Sequence, residues 1–183
     1  MKTILLASAA ALLATSAASA QDAQGQFKLG GGYTFLDFDD AEFHAVTVRG
    51  GYDFHKFFGI EGEAIAGLNE ETVTVMVEDL ATGIMVPVDV DTSLQYGLGI
   101  FFKAHYPFTE RFSAFARAGY VWTEIEAGFP TFTTSDDTDG NAYGVGAEIA
   151  INEEFSARGE YTMYDYGDDS NADSVSVSLI RRF

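Results

Sequence analysis

Nine ionisable side chains sit at alternate positions within stretches that are otherwise apolar or glycine-rich. Lys28, Arg49, Lys103, Arg117 and Arg158 are the cations; Glu61, Glu63, Glu148 and Glu160 are the carboxylates. Charges of both signs enclosed together pair as ions, and in a narrow channel such pairs either plug it or gate a leak of cations. The pairs expected are Glu61 or Glu63 with Arg117 or Arg158, and Lys103 with Glu148 or Glu160. A second chemistry is hard-cation binding. Asp136-Asp137-x-Asp139 or Asp168-Asp169 offers closely spaced oxygens of the kind that suit Ca²⁺ or Mg²⁺. The run D-D-T-D-G is similar to part of an EF-hand loop but lacks that loop's closing glutamate. These aspartates are therefore weak candidates for a loosely held ion, and no dedicated metal site or cofactor is assigned. Cysteine is absent, which excludes disulfides and thiolate metal sites. Gly30-Gly31-Gly32 is not a phosphate loop, because no helix follows it.

Side chains at alternate positions need strands to hold them, because only the extended chain sends every second residue to one side. The terminal stretch shows this most plainly. From Asp173 to Phe183, Val175, Val177, Leu179 and Phe183 share one parity, while Ser174, Ser176 and Ser178 share the other. A strand cannot satisfy its backbone alone, and pairing with the first strand closes a barrel. Seven further strands are expected at Gln26 to Leu36, His44 to Phe54, Phe57 to Leu68, Ser93 to Tyr106, Arg111 to Thr123, Ala142 to Ile151 and Phe155 to Tyr164. In the fourth of these, Leu94, Tyr96, Leu98 and Ile100 share one face. The connections alternate between long and short. Within the insertion from Asn69 to Thr92, Thr72 to Val77 and Ile84 to Val90 read as strands three and four continuing as a hairpin, turning at Asp79 to Gly83. The stretch from Glu124 to Gly140 reads as a loop.

Ahead of the strands, Met1-Lys2, an apolar run from Ile4 to Leu13 and Ala18-Ser19-Ala20 have the layout of an export leader. Residues 1–20 are expected to be cleaved, leaving 21–183 as one domain. Strands of about ten residues cross a bilayer at a tilt. The ring-bearing parity is too bulky to line a ligand cup of the lipocalin kind, so it is read as facing lipid, with the charged parity enclosed. Tyr33, Phe35, Tyr120, Trp122, Tyr143 and Tyr161 then form one interfacial girdle, and Phe27, Phe58, Tyr106, Phe112, Phe155 and Phe183 the other. The net charge is −18, and the four long connections, with Asp173 at the end of the last, hold nineteen Asp and Glu with no Lys or Arg. Such a surface draws cations and cationic partners and repels nucleic acid.

The strand patterns Tyr143-Gly144-Val145-Gly146-Ala147-Glu148 and Phe155-Ser156-Ala157-Arg158-Gly159-Glu160-Tyr161, with the terminal Phe183, resemble the small outer-membrane β-barrel family of OmpA-type, OmpX-type and opacity-type proteins. The resemblance spans residues 21–183. It implies an all-β, eight-stranded, up-and-down transmembrane barrel in a Gram-negative outer membrane, among phospholipid and lipopolysaccharide. Loops would be extracellular and termini periplasmic. It also implies that Val175, Val177, Leu179 and Phe183 are read by the barrel-assembly machinery; Arg181 stands where the family usually carries an aromatic. The role expected is structural or interactive at the cell surface, with the Asn69 to Thr92 hairpin as the contact for a protein partner. The rival is a narrow cation-preferring porin. A lipid A-modifying enzyme is the remote alternative. It needs a His with a Ser and an acid near the outer leaflet, and among His44, His55 and His105 only His44 is placed high and outward, without a neighbouring Ser on its strand.

Overall fold

The computed structural model describes residues 25–38, 41–79, 84–129, 132–167 and 171–183; residues 1–20, the expected leader, lie outside these. Every regular element among them is a strand: β1 (Gln26–Phe38), β2 (Ala41–His55), β3 (Phe58–Gly67), β4 (Glu70–Asp79), β5 (Ile84–Pro107), β6 (Phe112–Phe129), β7 (Phe132–Ala150), β8 (Phe155–Asp165) and β9 (Asn171–Arg182). All ladders are antiparallel. β9 pairs with β1, and a β3–β5 ladder completes an eight-stranded ring that leaves β4 outside it. Closure leaves the ring no open edge, so no backbone group of the wall has to face lipid unpaired.

Neighbouring residues alternate between a buried interior and an exposed exterior, most regularly along β8 and β9. The exterior is apolar: Val175, Val177 and Leu179 of β9 are exposed, as are Tyr33, Tyr120, Trp122, Tyr143 and Tyr161 at one level and Phe27, Phe58, Tyr106, Phe112 and Phe183 at the other. An apolar surface this continuous belongs in hydrocarbon rather than water.

Two expectations need correction. Leu94 does not share the outward face of Tyr96. The ladder with β6 steps from Leu94↔Ile125 to Tyr96↔Glu124, leaving Gln95 unpaired. This extra residue inverts the parity, so Leu94 is 4% exposed and Leu98 49%. The stretch from Glu124 to Gly140 is not an irregular loop either. β6 and β7 stay paired out to Phe129↔Phe132. The hairpin expected at Asn69 to Thr92 is present as β4 and β5, paired from Glu70↔Ser93 to Asp79↔Ile84. Residues 80–83, which hold most of its expected turn, lie outside the described residues. At this end, here called the hairpin end, four strand ends form a sheet standing beyond the ring. Among the described residues, the connections at the opposite end are short turns, at His55 to Phe58, Pro107 to Phe112 and Ala150 to Phe155.

Candidate functional site

The interior of the ring is the one place where the chain concentrates charge away from water. Alternation on β1, β2, β3, β5, β6, β7 and β8 turns all nine expected residues inward. A tenth joins them: Asp53, on the inward parity of β2 two positions beyond Gly51. Its place in the parity made it legible, but it lies next to the turn. With Asp53 included, five cations face five carboxylates.

Toward the turn end, Lys28 Nζ lies 2.9 Å from Asp53 and 3.3 Å from Glu148. Lys103 Nζ lies 2.7 Å from Glu61, 3.3 Å from Asp53 and 3.9 Å from Glu148. Arg158 donates through both terminal nitrogens to Glu61, at 2.8 and 3.0 Å, and also to Glu160 at 2.6 Å. Nearer the hairpin end, Arg49 donates to Glu63 through Nε and a terminal nitrogen, at 2.9 and 2.5 Å. Arg117 reaches the same Glu63 at 2.9 Å and also pairs with Glu160. Lys103, expected to pair with Glu148 or Glu160, instead pairs mainly with Glu61 at 2.7 Å, with Glu148 more distant at 3.9 Å. Forked guanidinium–carboxylate bonds fix geometry as well as charge, and each carboxylate is held from two or more sides.

Glycine and phenylalanine set the arginines in place. Inward Phe101 lies across its ladder partner Gly119, where an added Cβ would meet the ring at 2.6 Å. Phe115 lies across Gly146 in the same way, at 2.5 Å. The Arg117 guanidinium then rests 3.8 Å above the Phe101 ring and that of Arg158 3.9 Å above Phe115. Cations over ring faces gain electrostatically once desolvated. A side chain at either glycine would displace the ring and, with it, the arginine.

Above the ions the lumen turns apolar. Leu36, Phe43, Ile65, Leu94, Val121 and Tyr164 form a buried cluster at the hairpin end, with Phe38 and Tyr166 packed against it. Tyr166 stacks on Tyr164 and Phe38, and its hydroxyl is 3.0 Å from that of Thr123. Two interior voids, one beneath this cluster and one beside Arg49 and Arg158, measure about 10 Å³ each, room for about one water.

The other candidates are dispersed. The D-D-T-D-G run lies in β7; the Asp136 side chain, like Asp168 and Asp169, lies outside what the structure describes. Asp137 and Asp139 point outward, and Asp139 accepts the Tyr120 hydroxyl. Among the described residues no group of three or more His or acidic side chains is arranged to hold a metal ion. His44 faces outward between Tyr33 and Phe35, bonded through Nδ1 to the Tyr33 hydroxyl. His55 sits in a turn, and His105 points into the turn end of the lumen. On the exterior of β9, Arg181 places its guanidinium 4.8 Å from the Phe183 ring and 5.8 Å from that of Phe155, with Glu154 3.7 Å away.

The family described as "Outer membrane protein beta-barrel domain" matches residues 6–183. No curated protein matches the chain. Among solved structures, the outer membrane protein OprG from Pseudomonas aeruginosa is similar, with a TM-score of 0.62 at 15% identity, over 87% of this chain and 96% of that one. Neisserial surface protein A is similar at 0.61 and 8% identity, over 87% and 97%. Ail, the attachment invasion locus protein of Yersinia pestis, is similar at 0.55 and 15% identity, over 87% and 98%. At these identities the likeness is one of fold.

Proposed function

Because the chain belongs to the outer membrane protein beta-barrel domain family, we propose that it is a non-enzymatic, closed anchor in that membrane, presenting an acidic, strand-built surface for contact with partners outside the cell. The observation that carries this reading is the sheet beyond the ring. β4, β5, β6 and β7 continue past the wall as paired strands, and β4 ends the sheet order. A sheet edge held clear of the membrane is a template for strand addition. Its surroundings carry acids without a single Lys or Arg, so partners with cationic flanks are favoured over anionic ones. The orientation proposed puts the hairpin end outside and both termini in the periplasm, following the rule that barrels of this kind keep short turns inside and long connections out. Ail, similar in fold, is named for attachment, which agrees with an adhesive role.

The narrow cation-porin reading is less well supported, because ions and apolar side chains fill successive levels of the lumen. For the favoured reading, cells carrying the full chain are compared with cells carrying a chain lacking residues 70–91. Deletion should abolish binding of the cells to a polycationic surface while the barrel still shifts on a gel only after boiling. Equal binding by both would overturn the reading.

A further inference from the structure

The exterior of the ring is not evenly apolar. Across β9, β1, β2, β3 and β5 the ladders align Arg181, Leu29, Gly50, Gly62 and Ile100 in one row. Gly50 and Gly62 are direct partners and both face outward. A Cβ at Gly50 would meet nothing within 4 Å, and one at Gly62 only the Gly99 carbonyl at 4.0 Å. The rows on either side carry more bulk: Val48, Leu98 and Trp122 on one, with the small Ala64 between the first two, and Phe27, Tyr52 and Ile60 on the other. The result is a walled trench of about 680 Å³, running obliquely because strands in a barrel are tilted to its axis.

Its two ends differ in charge. At the turn end, just outside the lining and 4.8 Å from the Phe183 ring that does line the trench, stands Arg181, on the exterior and 3.7 Å from exposed Glu154. Lys56 caps the β2–β3 turn below the same wall, over the Phe57 ring. The hairpin end has no basic residue. A ligand of this trench therefore has an apolar body to lie along the glycine floor and an anionic head to sit at the turn end.

We propose that the trench seats one acyl chain of an anionic phospholipid whose phosphate is held by Arg181. The glycine floor lets the chain approach the backbone and gain contact with both walls. The arginine supplies a charge-assisted hydrogen bond at the rim, reached by snorkelling. In the orientation proposed above, this end lies in the leaflet made of phospholipid.

The test uses the full mature chain in phosphatidylcholine vesicles, with phosphatidylglycerol or phosphatidylcholine spin-labelled near the acyl terminus as the probe. Heat-modifiability is checked for every variant. Wild type should immobilise phosphatidylglycerol in excess of phosphatidylcholine. Gly62→Leu should lose the immobilised component for both lipids, and Gly50→Leu serves instead if that variant does not fold. Arg181→Gln should erase the difference between the two lipids, and Val145→Leu, on a distant part of the exterior, should change nothing. Equal immobilisation of both lipids by wild type, or a wild-type signal from the trench-filling variant, would overturn the proposal. So would cross-linking of Gly62→Cys to a second copy of the chain, since the trench would then be a subunit contact.

Discussion

Glu63 is where the lumen is most sensitive to a single atom. It accepts from Arg49 and from Arg117, and the two guanidinium groups have between them only Glu160 as a further carboxylate. Removing one member of a buried pair costs about 3–5 kcal/mol, chiefly because the partner's charge stays buried without its counter-ion. Glu63→Gln should therefore lower the unfolding free energy of the refolded barrel in detergent by about that amount, read from urea titration. A change within experimental error would mean that the arginines have water to turn to. Asp53 belongs to the same set. The residue pattern alone left five cations facing four carboxylates, and the fifth carboxylate sat on the correct parity of β2, where its nearness to the turn hid it. Phe101 and Phe115 were hidden differently. They occupy the charged parity, and only the glycines beside them, Gly119 and Gly146, reveal that the lumen has room for a ring there.

Among the elements, β5 shows both what periodicity reveals and where it stops. From Tyr96 to Tyr106, Phe101 apart, its two faces are legible residue by residue, because one meets lipid and the other meets the ion network. A single inserted residue leaves no mark on composition, so the inversion at Gln95 was invisible and Leu94 was placed on the wrong side. The consequence is measurable. Leu94→Ala should cost about 2–5 kcal/mol, as in a packed core. Leu98→Ala should cost much less, since its side chain is surrounded by hydrocarbon in the folded state and can be replaced there by lipid. Equal losses in urea titration would argue against the bulge. The outer part of β6 and β7 was illegible for a related reason. Beyond the ring the sheet has water on both faces, so Glu124, Glu126, Asp136 and Asp137 occupy both parities and the strand loses its contrast. β4 and the start of β5 escaped this because their valines alternate with polar residues.

At the scale of the whole molecule, charge is sorted along the barrel axis. Basic residues lie in the lumen or at the turn end, acids crowd the hairpin end, and an apolar cluster separates the ion network from that acidic surface. The lumen is thus shut twice, once by a set of ions with no net charge and once by Leu36, Phe43, Leu94 and Tyr164. On the function proposed above, a barrel built in this way holds a surface in place without passing solutes. Single-channel recording across a planar bilayer containing the purified, heat-modifiable barrel tests this directly. The closed lumen predicts a baseline with no steady current at any applied potential. A steady cation-selective current, abolished by exchanging the charges of Glu61 and Lys103, would contradict it.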